Sequence, residues 1–144
     1  MLGDARVSLA DARPHQYDLM VIDAFSSDAI PIHLITHEAV ALYLSRLTPG
    51  GVLAMHISNR HLSLGPVLAG LARAHGLVAI QQQERVKTPS SDGKSASDWV
   101  LMAARSADLG ALDADPRWKI PVVSASTPLW TDDFSSILSV LRYR

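Results

Sequence analysis

The segment Tyr17-Asp18-Leu19-Met20-Val21-Ile22-Asp23-Ala24-Phe25-Ser26-Ser27-Asp28-Ala29-Ile30-Pro31 decides how this chain reads. Its apolar centre predicts a strand from Tyr17 to Asp23, continuous as a strand buried on both faces is. The strand stops on an acid, and a small polar loop follows. In an open α/β sheet, ligands bind in the crevice at the carboxyl ends of the strands. Asp23 is therefore the first candidate for function. A carboxylate there also has a purely local use, accepting backbone amides of the loop from Ala24 to Asp28. Asp28 either lines the same crevice, where two acids suit a cationic amine, or is a solvated turn residue.

Working outward, strands and helices alternate. Gly3-Asp4-Ala5-Arg6 reads as a turn leading into a short helical stretch through about Ala12, ended by Pro14. Thr36 is a helix N-cap, and Val40, Leu44 and Leu47 share one face of the helix it opens. Thr48-Pro49-Gly50-Gly51 ends that helix, and Val52 to Ile57 is the next strand. Pro66 to His75 is a helix with Gly76 as its C-terminal cap. Leu77 to Gln82 and Trp99 to Ala103 are two further strands. The Pro/Ser/Gly-rich segment at 87–95 lacks a helical pattern, which makes that last pair antiparallel. Ser106 to Leu112 reads as a short helix and Phe134 to Leu141 as a terminal one. In Trp130-Thr131-Asp132-Asp133-Phe134, the acids either favour the positive end of that helix or line the crevice. The pattern is that of an α/β layered fold with a mainly parallel sheet.

The 144 residues are about one domain's worth. Hydrophobic residues make up 48%, ample for a core, and the formal net charge of −1 gives no strong pull towards nucleic acid or anionic membranes. Without cysteine, disulfides and thiolate metal sites are excluded, which fits a cytoplasmic protein. No apolar run reaches the roughly 18 residues of a membrane span, and the N-terminus does not read as a signal peptide. His33 and His37, or His56 and His61, lack the third ligand a metal site needs. Glycine-rich nucleotide loops and the nucleophile elbow are absent.

The strand from Tyr17 to Asp23, then Pro31-Ile32-His33-Leu34-Ile35-Thr36, Leu47-Thr48-Pro49-Gly50-Gly51-Val52-Leu53, His56-Ile57-Ser58-Asn59-Arg60 and Leu129-Trp130-Thr131-Asp132-Asp133-Phe134, together resemble the spermidine synthase family. The resemblance is strongest to the branch whose synthase-like domain is often fused to membrane helices. It implies a methyltransferase-type Rossmann fold and a place in polyamine biosynthesis. The reaction it implies is aminopropyl transfer from decarboxylated S-adenosylmethionine to an amine such as putrescine. By resemblance, Asp23 is the catalytic base. Asp4 and Ala5, in the Gly-Asp turn, bind the nucleoside. Asp28, Ser26 and Asp132 lie on the amine side, although the loop departs from the family's compact Asp-Ser-Ser-Asp-Pro. No metal or tightly bound cofactor is implied, and the decarboxylated nucleoside enters as co-substrate.

The family's glycine-rich turn and ribose-binding strand, which precede the Gly-Asp turn, have no counterpart. Residues 1–144 thus read as a single truncated domain carrying the second half of the sheet. The strand from Tyr17 to Asp23 then becomes an open apolar edge, from which a homo-oligomer is expected. Three functions follow: a transferase completed by another chain, a non-catalytic interaction module of the same fold, and a methyltransferase using ordinary S-adenosylmethionine.

Overall fold

A computed structural model of the chain describes residues 5–23, 31–59, 61–84, 96–123 and 126–141. The described elements run α1 (Ala5–Ala10), β1 (Tyr17–Ile22), α2 (His37–Arg46), β2 (Leu47–His56), α3 (Gly65–Ala74), β3 (Val78–Glu84) and β4 (Ser97–Ala103), with 3₁₀ turns at Ile32–Leu34, Ser106–Ala114 and Ile137–Val140. The four strands form one sheet in the order β1-β2-β4-β3. β1 pairs with β2 in parallel, and β4 is antiparallel to both neighbours. Three strands therefore point one way and the last is inserted against them. This is the α/β architecture expected, with the last strand antiparallel.

Local chemistry explains the boundaries. Thr36 caps α2 by accepting the Ala39 N–H. After α3, Gly76 takes φ +67°. Its N–H bonds the Arg73 carbonyl and that of Leu77 bonds the Ala72 carbonyl, the paired arrangement that a left-handed residue makes possible. β2 starts at Leu47, before the Pro-Gly-Gly turn rather than after it, and its register with β1 shifts between Tyr17 and Leu19. Gly50 enters this irregular stretch at φ +84°, and a Cβ on Gly51 would lie 3.1 Å from the Tyr17 carbonyl oxygen. Two glycines thus let the strand begin early and close against β1.

Strand alternation divides the sheet into two faces. Met20 and Ile22 of β1, Leu53 and Met55 of β2, and Val100 and Met102 of β4 pack with α2, α3 and Trp130 in the main core. Ala54, Ile80, Leu101 and Ala103 face the other way, against Leu109, with Trp99 and Trp118 beside them. On this second face Leu19 is 58% and Val21 50% exposed. The expectation that β1 is buried on both faces is therefore corrected. Its sequence is apolar throughout, but among the described residues only one face of it is covered. β1 also lies at the edge of the sheet, with β2 as its only strand partner among the described residues.

The terminal helix expected over Phe134 to Leu141 is likewise corrected: only a 3₁₀ turn forms, at Ile137–Val140. Thr131 accepts the Phe134 N–H through its hydroxyl, and the Ser139 hydroxyl donates to the Ser136 carbonyl. Such side-chain bonds compete with helical ones. The segment instead docks along the fold, the Ser63 N–H bonding the Val140 carbonyl and Leu62 bridging to Leu141.

Candidate functional site

The parallel register that aligns Ile22 with Met55 brings the next residues, Asp23 and His56, side by side at the carboxyl ends of β1 and β2. His56 Nδ1 lies 2.7 Å from Asp23 Oδ1. Asp23's side chain is 58% exposed and His56's is 23% exposed: the acid is open to solvent and the imidazole is sheltered. The shelter comes from Trp99, the register partner of His56 on β4, whose ring stacks on the imidazole at 4.7 Å between centroids. His56 Nε2 lies 2.7 Å from Ser58 Oγ, and the Asp98 N–H donates to that same oxygen at 2.9 Å. The Asp98 carboxylate is itself buried, accepting the Gln81 and Gln83 side-chain amides at 2.7 and 2.9 Å. The ends of β1, β2 and β4 are thus laced into one polar chain that starts at Asp23.

The same face of the sheet carries an apolar cavity of about 570 Å³, lined among others by Leu19, Val52, Trp99, Leu101 and Trp118. Its size is that of a small-molecule pocket. Trp99 belongs to both, one ring bordering the cavity and stacking on the histidine of the polar chain.

Asp132 stands elsewhere and is already engaged. Its Oδ1 accepts Arg6 Nη1 and the Thr36 hydroxyl, each at 2.7 Å, and its Oδ2 meets Arg6 Nη2 at 2.5 Å. Its own N–H donates to Glu38, and the His37 N–H bonds the Trp130 carbonyl. The hydrogen bond from Arg6 holds the Asp132 carboxyl below the usual carboxylate range; partial burial opposes this and the Thr36 hydroxyl adds to it. This knot ties α1, where Ala5 is the first residue, to the start of α2 and to the terminal segment. Arg6 Nη1 also donates to the His33 carbonyl.

Of the site residues read from sequence, Asp4, Ser26 and Asp28 lie outside the described residues. Asp23 stands at the strand end where it was expected, and Ala5 opens α1. The structure does not bring Asp132 into contact with Asp23, and its partners are those just named. His56 as the partner of Asp23, and Ser58 as the partner of His56, were missed. Had Ile22 been aligned with Met55 on adjacent parallel strands, the pairing of 23 with 56 would have followed. Among the described residues there is no group of three or more His, Asp or Glu side chains able to hold a metal ion.

No family profile matches the chain, and no curated protein matches it. Solved structures do. A probable spermidine synthase from Corynebacterium glutamicum is 20% identical, with a TM-score of 0.52 over 72% of this chain and 36% of that one. MnmC2 from Aquifex aeolicus is 17% identical, with a TM-score of 0.48 over 87% of this chain and 38% of its own. The chain spans little more than a third of the length of either protein. The first likeness, at its level of identity, establishes the fold.

Proposed function

We propose that the chain is a spermidine synthase-like aminopropyl transferase in which Asp23 is the base, its site completed by further polypeptide. The observation that carries this reading is an exposed carboxylate at the carboxyl end of a sheet strand, backed by a sheltered imidazole. An alkylammonium must lose a proton before its nitrogen can attack, and a carboxylate within hydrogen-bond reach meets that need. In the proposed reaction one N–H proton passes to Asp23. The freed nitrogen lone pair forms a bond to the propyl carbon of decarboxylated S-adenosylmethionine. The C–S bond breaks with its electron pair going to sulfur, and methylthioadenosine leaves as a neutral thioether. The sulfonium is activated already, so the protein's main task is alignment. No tightly bound cofactor enters the scheme.

Asp4 and Ala5 would hold the nucleoside, and Ser26 and Asp28 would stand with Asp23 on the amine side. Asp132 is neutralised by Arg6, so we assign it to anchoring α1 beside the nucleoside and give the amine's charge to Asp23. The β1 edge and the face of β1 left uncovered among the described residues support association with a second copy.

Calorimetric titration with methylthioadenosine, decarboxylated S-adenosylmethionine and S-adenosylmethionine, followed by a putrescine turnover assay, tests the reading. Heat with the first two ligands and turnover of putrescine are expected. Asp23→Asn is expected to leave nucleoside binding intact and abolish transfer, and undiminished turnover in that variant would refute the base assignment. Heat with S-adenosylmethionine alone would favour a methyltransferase. Silence with all three would leave a non-catalytic interaction module.

A further inference from the structure

The line of polar atoms behind Asp23 has a direction. Ser58 Oγ accepts the Asp98 N–H, so the Ser58 hydroxyl proton is turned away from Asp98 and has His56 Nε2 at 2.7 Å to receive it. A neutral imidazole carries one proton and one lone pair. With Nε2 accepting from Ser58, the proton sits on Nδ1, 2.7 Å from Asp23 Oδ1. The opposite tautomer would set the Nδ1 lone pair against a carboxylate oxygen. For a neutral imidazole, only this arrangement satisfies both ring nitrogens.

We propose that His56 and Ser58 are positioning residues for Asp23: Ser58 donates to His56 Nε2, fixing the Nδ1–H tautomer, and Nδ1–H donates to Asp23 Oδ1, leaving Oδ2 to take the proton of the substrate amine. That last step rests on the transferase reading; the tautomer and the orientation of Asp23 do not. Ser58 is not a nucleophile in this arrangement. Its oxygen is strapped between β2 and β4 by the Asp98 N–H. Stacking on Trp99 holds the imidazole plane, so the geometry is set before an amine arrives. Among the described residues, no hydrogen-bond partner other than His56 is found for Asp23. The hydrogen bond at a histidine's one nitrogen fixes what its other can do.

The test has two independent arms on the full chain. In the first, long-range proton–nitrogen NMR at alkaline pH, where an ordinary imidazole is neutral, reads the His56 tautomer. The expected result is a protonated Nδ1 and a bare Nε2. In Asp23→Ala, where the carboxylate no longer holds Nδ1–H, Ser58 alone is expected to keep that form; Asp23→Ala with Ser58→Ala is expected to admit the Nε2–H form, and Asp23→Ala with Ser58→Thr, which keeps the hydroxyl, to retain the original one. The signals of the other histidines report that each variant is folded. A protonated Nε2 in the unaltered chain, or a tautomer in the Asp23→Ala background that is indifferent to Ser58→Ala, overturns the proposal.

In the second arm, putrescine turnover is measured in His56→Ala and His56→Asn. Asparagine places an amide N–H near the position of Nδ1–H. His56→Ala is expected to lower kcat about 100-fold, the scale of a misplaced reacting group, with KM little changed, and His56→Asn to recover most of the loss. Equal loss in both variants overturns the positioning role. If the unaltered chain turns nothing over while the first arm gives the expected tautomer, the transferase reading fails and the arrangement around Asp23 stands.

Discussion

Replacing Asp132 by alanine is a severe test of the knot that ties α1 to α2 and the terminal segment. Two losses contribute. The Arg6 pair is bidentate, but its carboxylate is 41% exposed, which puts it near the surface value of about 0.5–1 kcal/mol. Thr36 is 1% exposed, and its hydroxyl proton loses the acceptor it has at 2.7 Å. An unmet buried donor costs about 1–3 kcal/mol. Together the variant is expected to lose about 2 kcal/mol, or about 6–8 °C in melting temperature for a chain of this size. Thr36→Ala alone is expected to cost about 1 kcal/mol, the usual value of an N-cap. Once that hydroxyl is gone, Asp132→Ala no longer strands it. The double variant is therefore expected to fall about 1 kcal/mol short of the sum of the single losses. Urea unfolding followed by circular dichroism measures all three. Additivity within about 0.3 kcal/mol, or a loss below about 0.5 kcal/mol for Asp132→Ala, would refute the shared hydroxyl as the source of the cost.

The same carboxylate sets an acid limit. Its folded value lies below the usual range, so its contribution is present above that range and is lost as pH falls through the folded value; urea midpoints of Asp132→Asn should converge with those of the unaltered chain in acid, and a constant gap would contradict the linkage. Gly76→Ala puts a Cβ into open space but at φ +67°, so the expected loss is backbone strain alone, about 1 kcal/mol, and an unchanged urea midpoint would remove the argument for that cap. Light scattering at micromolar concentration is expected to show a dimer or larger assembly through the β1 edge; a stable monomer would count against it.

Most elements were legible because their signals are local. Thr36 before α2, Gly76 after α3 and the apolar spacing between them announce themselves within a few residues. The terminal helix failed for the opposite reason. Residues 134–141 have helical apolar spacing, but Thr131, Ser136 and Ser139 bond backbone and hydroxyl locally, and Val140 is claimed by Ser63. β1 failed in another way: continuous apolar sequence says what a strand can bury, and only its neighbours decide what it does bury. For the site, Asp23 was readable as an acid ending a strand. His56 and Ser58 were not, since the link between positions 23 and 56 exists only in the sheet register, and that is a property of the assembled fold.

The parity of β1 joins these observations. Leu19 and Val21 lie on the uncovered face, and Asp23 is next in the same alternation. His56 shares that face through its stack on Trp99, which borders the apolar cavity. Covering the exposed side of β1 would therefore do two things at once. It would bury Leu19 and Val21, about 1.5–3 kcal/mol each for complete burial from a fully exposed start and less from half exposure. It would also wall the solvent away from an acid whose side chain is 58% exposed. Lowering the local dielectric there strengthens charge interactions and raises the cost of leaving the Asp23 charge unpaired. The uncovered face of β1 and the carboxylate at the strand's end therefore belong to one surface.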